Sequence, residues 1–262
     1  MPVILLHSSK TMRGQVSKDA ALQQPALIAQ AGRLAAYVKS LSKQQLAKCM
    51  SLSDTKAAHT YGLWRQWNAE PANQSPAIDS FVGDIYSGLQ VPTFTRADRS
   101  YANDHLYILS GLYGVLRALD SIMPYRLEMG YKLPDAPYKN LYHFWGDAIA
   151  RQLPQGQTIF NLAALEYAKT VLPFVDQTTV VTPKFLTVGK TSEPEFVVVH
   201  AKIARGAFAR WLIQQQITQP ADAVKFNELG YEFSTRLSTP EQPVFVCKTF
   251  GGLGLSVRLQ KD

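Results

Sequence analysis

Cysteine is nearly missing from this chain of 262 residues, which holds only Cys49 and Cys247. Two thiols make neither a disulfide framework nor the close-spaced pairs of a zinc site, so a reducing compartment is expected. Long apolar runs are missing as well. No stretch approaches the roughly 20 apolar residues that a bilayer span needs. Val3-Ile4-Leu5-Leu6 is too short for a secretion signal and lacks a preceding basic region. A cytoplasmic protein without membrane contact is the expectation. The five histidines are scattered, and a lone one such as His143 or His200 is more often structural than catalytic. No paired-histidine zinc motif, nucleophile elbow or ferritin-like Glu-x-x-His spacing occurs, so neither metal nor cofactor is expected. Gly189-Lys190-Thr191 has the look of a phosphate-loop ending, but Lys184 stands where that motif needs its first glycine. Acid is scarce relative to base: 20 Asp and Glu face 27 Lys and Arg, leaving a formal charge of +7. An anionic partner follows as an expectation: nucleic acid, nucleotide or anionic lipid.

What is present is a substantial core, with 46% hydrophobic and 18% charged residues. Val3 to His7 is apolar without alternation, as in a buried central strand, and empties into Ser8-Ser9-Lys10-Thr11. Helices are expected from Ala20 to Ser40, from a Ser42 cap to Met50, from Asp54 to Trp67, and from Arg96 to His105. Asn140 to Leu153 is amphipathic, with Trp145 on its core face. Tyr107 to Ser110, Thr158 to Ala163 and Val180 to Val188 read as strands. Phe196 to Ala201 reads as a second buried inner strand, followed by a helix whose first turn carries Lys202 and Arg205. Two cations there oppose the helix dipole unless an anion is bound, which favours an anion site. Tyr231 to Thr235 and Val244 to Phe250 are expected to pair antiparallel.

The stretch Leu109 to Gly130 carries the densest local instruction. Gly111 and Gly114 demand a tight turn or a close approach. Arg117 and Asp120, three apart, share a face if the segment is helical. Met123-Pro124 breaks any helix. Tyr125, Leu127 and Met129 then alternate with Arg126 and Glu128, as on a strand with an opposed cation and acid. An ordinary turn with a surface ion pair would account for the same residues.

Taken in order, ILLHSSKT near the start, GDIYSGLQ at 83–90, the 109–130 stretch, LYHFWGD at 141–147, NLAALEY at 161–167, AKIARG at 201–206 and FNELGY at 226–231 resemble the YaaA family. The motifs span nearly the whole chain. The resemblance implies a cytoplasmic bacterial protein of the peroxide stress response, one that limits free iron. It also implies a single α+β domain over residues 1–262, with a central mixed sheet flanked by helices, a basic cleft and a helix-hairpin-helix-like element that binds DNA. The lysine of the first family loop is kept at Lys10, without the proline usual before it. Gly111 and Gly114 are three apart, where hairpin glycines are usually two apart.

Two functions compete. A nucleic-acid binder, on DNA in preference to RNA and acting as a monomer, would contact phosphates through Lys10, Arg117, Arg126, Lys202 and Arg205. Gly111 and Gly114 would offer backbone amides, and Tyr113 and Tyr125 would stack on bases. An enzyme on a nucleotide-like or phosphorylated substrate would use Asp84, Glu128, Asn161 and Glu166 as acids, bases or orienting groups in the same cleft.

Overall fold

The computed structural model describes residues 2–13, 23–69, 74–175, 180–189 and 193–254. Its main sheet has five strands, in the order Gly114–Arg117, Leu106–Ser110, Val3–His7, Ile159–Asn161, Val180–Val181. Every pairing in it is parallel except the first, which is an antiparallel hairpin. Val3–His7 occupies the centre, and Val3 to Leu6 are almost wholly inaccessible. That is why the run shows no alternation: both faces of the strand are covered. From this strand the chain adds two neighbours on one side, then crosses to add two on the other. A second sheet of four strands orders Pro194–Glu195, Lys184–Val188, Val244–Cys247 and Tyr231–Phe233. Its last pair is antiparallel, as expected. Mixed sheets flanked by helices make this an α+β fold. Among the described residues no helix is long and apolar enough to cross a membrane.

Several helices begin where capping chemistry puts them. Ser42 and Gln45 form a reciprocal capping box for Lys43–Cys49, and Thr95 and Asp98 another for Arg96–His105. Asp54–Gln66 ends just short of Trp67, and Trp64 and Trp67 are buried. The first long helix runs Ile28–Ser40; the part expected at 20–22 lies outside the described residues.

Several expectations are corrected. Phe196 to Ala201 is not an inner strand. The helix Val198–Gln214 begins inside it, only Pro194–Glu195 pairs at a sheet edge, and Phe196 is 51% exposed. The β-branched run favours a strand locally, but Ala201, Ala204, Ala207, Phe208 and Leu212 bury a helical stripe, and tertiary burial overrides propensity. That stripe crosses the helix Asp84–Leu89 closely enough that a Cβ on Gly206 would sit 1.8 Å from the Ile85 carbonyl oxygen. Lys202 and Arg205 therefore lie beyond the first turn, and the helix-dipole argument for an anion there falls. The helix expected over Asn140 to Leu153 is only Leu141–Trp145, stopped by Gly146 at φ +50°. Val180 to Val188 is two strands in two sheets, parted at Pro183. Finally, the strand expected over 125–129 does not form, and around Arg117 the chain is not helical but a β-hairpin of Leu106–Ser110 and Gly114–Arg117.

Candidate functional site

Parallel strands that reverse order about a central strand leave a crevice beyond their carboxyl ends, where ligands of open α/β sheets bind. Here the reversal falls between Val3–His7 and Ile159–Asn161. The side chains beyond those ends are polar. The His7 Nδ1 accepts the Ala164 amide N–H at 3.2 Å, and the His7 carbonyl accepts the Tyr86 hydroxyl at 3.0 Å. The imidazole stacks on Tyr167, with ring centroids 4.9 Å apart. Burial, then the charges of Arg205 and Lys202, depress its pKa to about 3, so the ring is neutral. Ser8 donates to the Tyr167 hydroxyl at 3.4 Å, and Ser110 shares a 2.6 Å hydrogen bond with the Tyr125 hydroxyl. Burial raises the pKa of Tyr125 to about 12 and that of Tyr167 further, so at neutral pH both hydroxyls are protonated donors or acceptors.

Charged groups border this hydroxyl cluster. Lys10 pairs with Glu128 at 3.0 Å. Glu166 accepts the Gly130 amide N–H at 2.6 Å. Tyr131 is pushed up to about 12, by burial first and then by Glu128, while Arg126 opposes the shift. The Arg126 Nε is buried with no partner among the described residues, and so is the Asn161 Oδ1. Such unpaired atoms cost stability and need a reason. Arg126, Lys10, Lys56 and His59 line a cleft of about 270 Å³, with Tyr125 in its wall. Among the described residues no group of three or more His, Cys, Asp or Glu side chains could hold a metal ion.

Lys10, Arg126 and Glu128 thus come together, Arg205 and Lys202 act on His7 through their charge, and Glu166 acts in the same way on Tyr167. Asp84 opens its helix directly after Gly83, where an added Cβ would lie 3.0 Å from the Ser9 hydroxyl, at the rim of the first loop. Arg117 is elsewhere. It lies opposite Tyr107, near the amino end of the neighbouring strand, and its guanidinium pairs with Asp104 at 2.8 Å. Asp120 accepts the Arg117 backbone N–H instead of its side chain. Gly111 and Gly114 serve close packing. A Cβ on Gly111 would meet the Leu127 carbonyl at 2.4 Å, and Gly114, at φ +69°, packs on Leu27 and Trp145. Trp145 is core, as expected. Tyr113 and Tyr125 are buried and hydrogen-bonded, so as folded neither presents a ring to a base. Sequence reasoning pointed to the loop that holds Ser8 and passed over His7, Ser110, Tyr167, Lys56 and His59. One signal was available: His7 closes an apolar strand directly before a polar loop, and a strand's carboxyl end is where sites form.

Comparison with known proteins places this geometry in context. The family model described as "Peroxide stress protein YaaA" matches residues 3–237. A protein of Salinispora tropica named "UPF0246 protein" is 57% identical over 257 residues, covering 98% of this chain and 98% of that one.

Proposed function

The chain belongs to the peroxide stress protein YaaA family, and on that premise we propose that it binds nucleic acid through the cleft lined by Lys10, Lys56, His59 and Arg126. The proposed partner is DNA in preference to RNA, bound by a monomeric cytoplasmic protein that limits damage from intracellular iron and peroxide. Residues 1–262 are taken as a single domain, which the buried apolar cluster with members in both large sheets supports. One observation carries the proposal: an arginine with a buried, unpartnered Nε faces a concavity whose other charged lining groups are basic. Such a cleft attracts phosphate and repels cations.

The test is the salt dependence of binding. Lys56→Ala with Arg126→Ala should weaken binding to all duplex sequences alike and flatten the salt slope by roughly one unit for each phosphate left without its cation. A folded double variant with unchanged affinity and slope rules the cleft out.

A second function is favoured by a separate observation. Glu128 pairs with Lys10 in the loop after Val3–His7, and Glu166 lies in the short helix that follows Ile159–Asn161; carboxylates gain nothing from phosphate alone. An enzyme acting on a nucleotide-like or phosphorylated substrate would use them for proton transfer or orientation. Asn161, whose Oδ1 has no partner among the described residues, would orient that substrate.

A further inference from the structure

We propose that His7 is a fixed neutral hydrogen-bond donor, whose Nε2–H recognises a phosphoryl group at the crevice between Val3–His7 and Ile159–Asn161. The inference rests on the phosphate-bearing ligand proposed above and names the group that reads it.

The tautomer follows from one contact. A backbone amide can only donate, so the Ala164 N–H at 3.2 Å makes Nδ1 an acceptor. A neutral imidazole then carries its proton on Nε2. The ring cannot swing away cheaply. It stacks on Tyr167, and its own backbone carbonyl is held by Tyr86. The Nε2–H finds no acceptor among the described residues. The charges that act on the ring are Arg205 and Lys202, both positive. The tyrosines around it, Tyr86 and Tyr167, are held neutral by burial. A donor in a positive field fits an anion and repels a cation. Staying neutral has a use here: a protonated ring among two cations would be costly, whereas a neutral N–H adds direction without adding charge. Lys202 and Arg205 supply the attraction; His7 supplies geometry.

Nuclear magnetic resonance of protein labelled with ¹⁵N in its histidines tests this directly. At pH 7 the His7 ring should show the neutral Nε2–H tautomer. Inorganic phosphate should then shift the Nε2 signal and leave Nδ1 nearly still. A short deoxyoligonucleotide with a 5′-phosphate, compared with the same strand ending in a hydroxyl, separates sources. A shift only with the phosphorylated strand assigns a terminal monoester, and equal shifts assign a backbone diester. His7→Asn keeps an acceptor near Nδ1 and loses the outer donor, so phosphate affinity should fall about ten- to hundredfold. His7→Gln returns an amide N–H near Nε2 and should recover most of that loss, which a merely structural histidine would not show. The proposal is overturned by an Nδ1–H or protonated ring at pH 7. It is equally overturned if phosphate and both strands leave Nε2 unmoved. Should the variants not fold, the titration of the unaltered protein still decides. The two proposals fail separately. DNA bound in a salt-dependent way with His7 silent sinks this one alone. Phosphate moving His7 without any DNA binding sinks nucleic-acid binding alone.

Discussion

Two regions of this molecule bury aromatic rings and use them in opposite ways. Beside the four-stranded sheet, Phe208 packs on Phe160, Phe185, Trp211, Phe226 and Phe245, with centroids 5.1–6.1 Å apart. These are rings without polar atoms, apart from the tryptophan N–H, and burial alone rewards them. Beyond the strand ends of the five-stranded sheet, Tyr86, Tyr125, Tyr167 and His7 are tied through hydroxyls and ring nitrogens to serines and backbone. Each polar atom taken there must be satisfied to avoid a penalty. Nearby, the Arg126 Nε and the Asn161 Oδ1 are not. The first region is built for stability. The second leaves polar atoms unpaired, a cost that a ligand or a bound water would offset, and sites commonly depart from local rules in this way.

The sharpest way to break that contrast is to cut the phenylalanine cluster. Phe208→Ala should destabilise the fold by about 4 kcal/mol, read by chemical denaturation, while the salt slope of any surviving binding stays unchanged. A smaller effect belongs to the helix crossing, where a Cβ on Gly206 would lie 1.8 Å from the Ile85 carbonyl oxygen. Gly206→Ala should cost about 2 kcal/mol, because the helices must move apart. If either variant is as stable as the parent, the packing described is not what holds the two helices and sheets together.

On the polar side the expected effect is one of pH. The His7 pKa is depressed in the fold to about 3 from an ordinary 6.5. Below pH 6.5 the unfolded chain therefore binds a proton that the folded one refuses. The stability His7 contributes is present above 6.5 and is lost as pH falls toward 3. Denaturation at pH 7 and pH 4.5 should show a steeper acid loss in the parent than in His7→Asn. Equal slopes would mean that the ring is not held neutral.

How much of this was legible in the sequence depends on the range of the forces involved. Ser42 and Thr95 announce their helices because capping is decided within four residues. Val3–His7 announces a central strand because unbroken apolarity has few other uses. Tyr125, Leu127 and Met129 are buried with the expected alternation, yet no ladder forms there, since alternation reports burial and not hydrogen bonding. The run at Phe196 misleads because its helix is enforced by Gly88 and Gly206, over a hundred residues apart in sequence. The site shows the same division. Lys10 was legible as a loop cation after a strand, and its pairing with Glu128 was not. Arg117 looked equivalent to Arg126, and only strand direction sends it to the other end of the sheet.

A still smaller change is expected from the two cations whose charge acts on His7. Lys202→Ala with Arg205→Ala should lower affinity for every DNA sequence alike and flatten the salt slope by roughly one unit for each phosphate no longer neutralised. Because the charge of both residues depresses the His7 pKa, the double variant should also raise it, visible in the same resonances. Affinity and slope both unchanged, in a folded protein, would remove this pair from the binding surface.

The smallest expected effect on binding is the most informative. Glu128 pairs with Lys10 at 3.0 Å while Lys10 remains more than half exposed, so the pair contributes little to stability. Glu128→Gln removes a charge that repels phosphate and frees Lys10 to meet it. Nucleic-acid affinity should therefore stay equal or improve slightly. The Tyr131 pKa, held near 12 partly by Glu128, should fall, which confirms that the substitution acted where intended. If Glu128 instead transfers a proton to a nucleotide-like substrate, activity should drop by about 10²–10⁴-fold, while binding persists because glutamine keeps the shape. Protection of cells against peroxide then separates the two functions. A stable variant that binds fully and fails to protect makes this protein an enzyme, and a fully protective one removes Glu128 from any catalytic role.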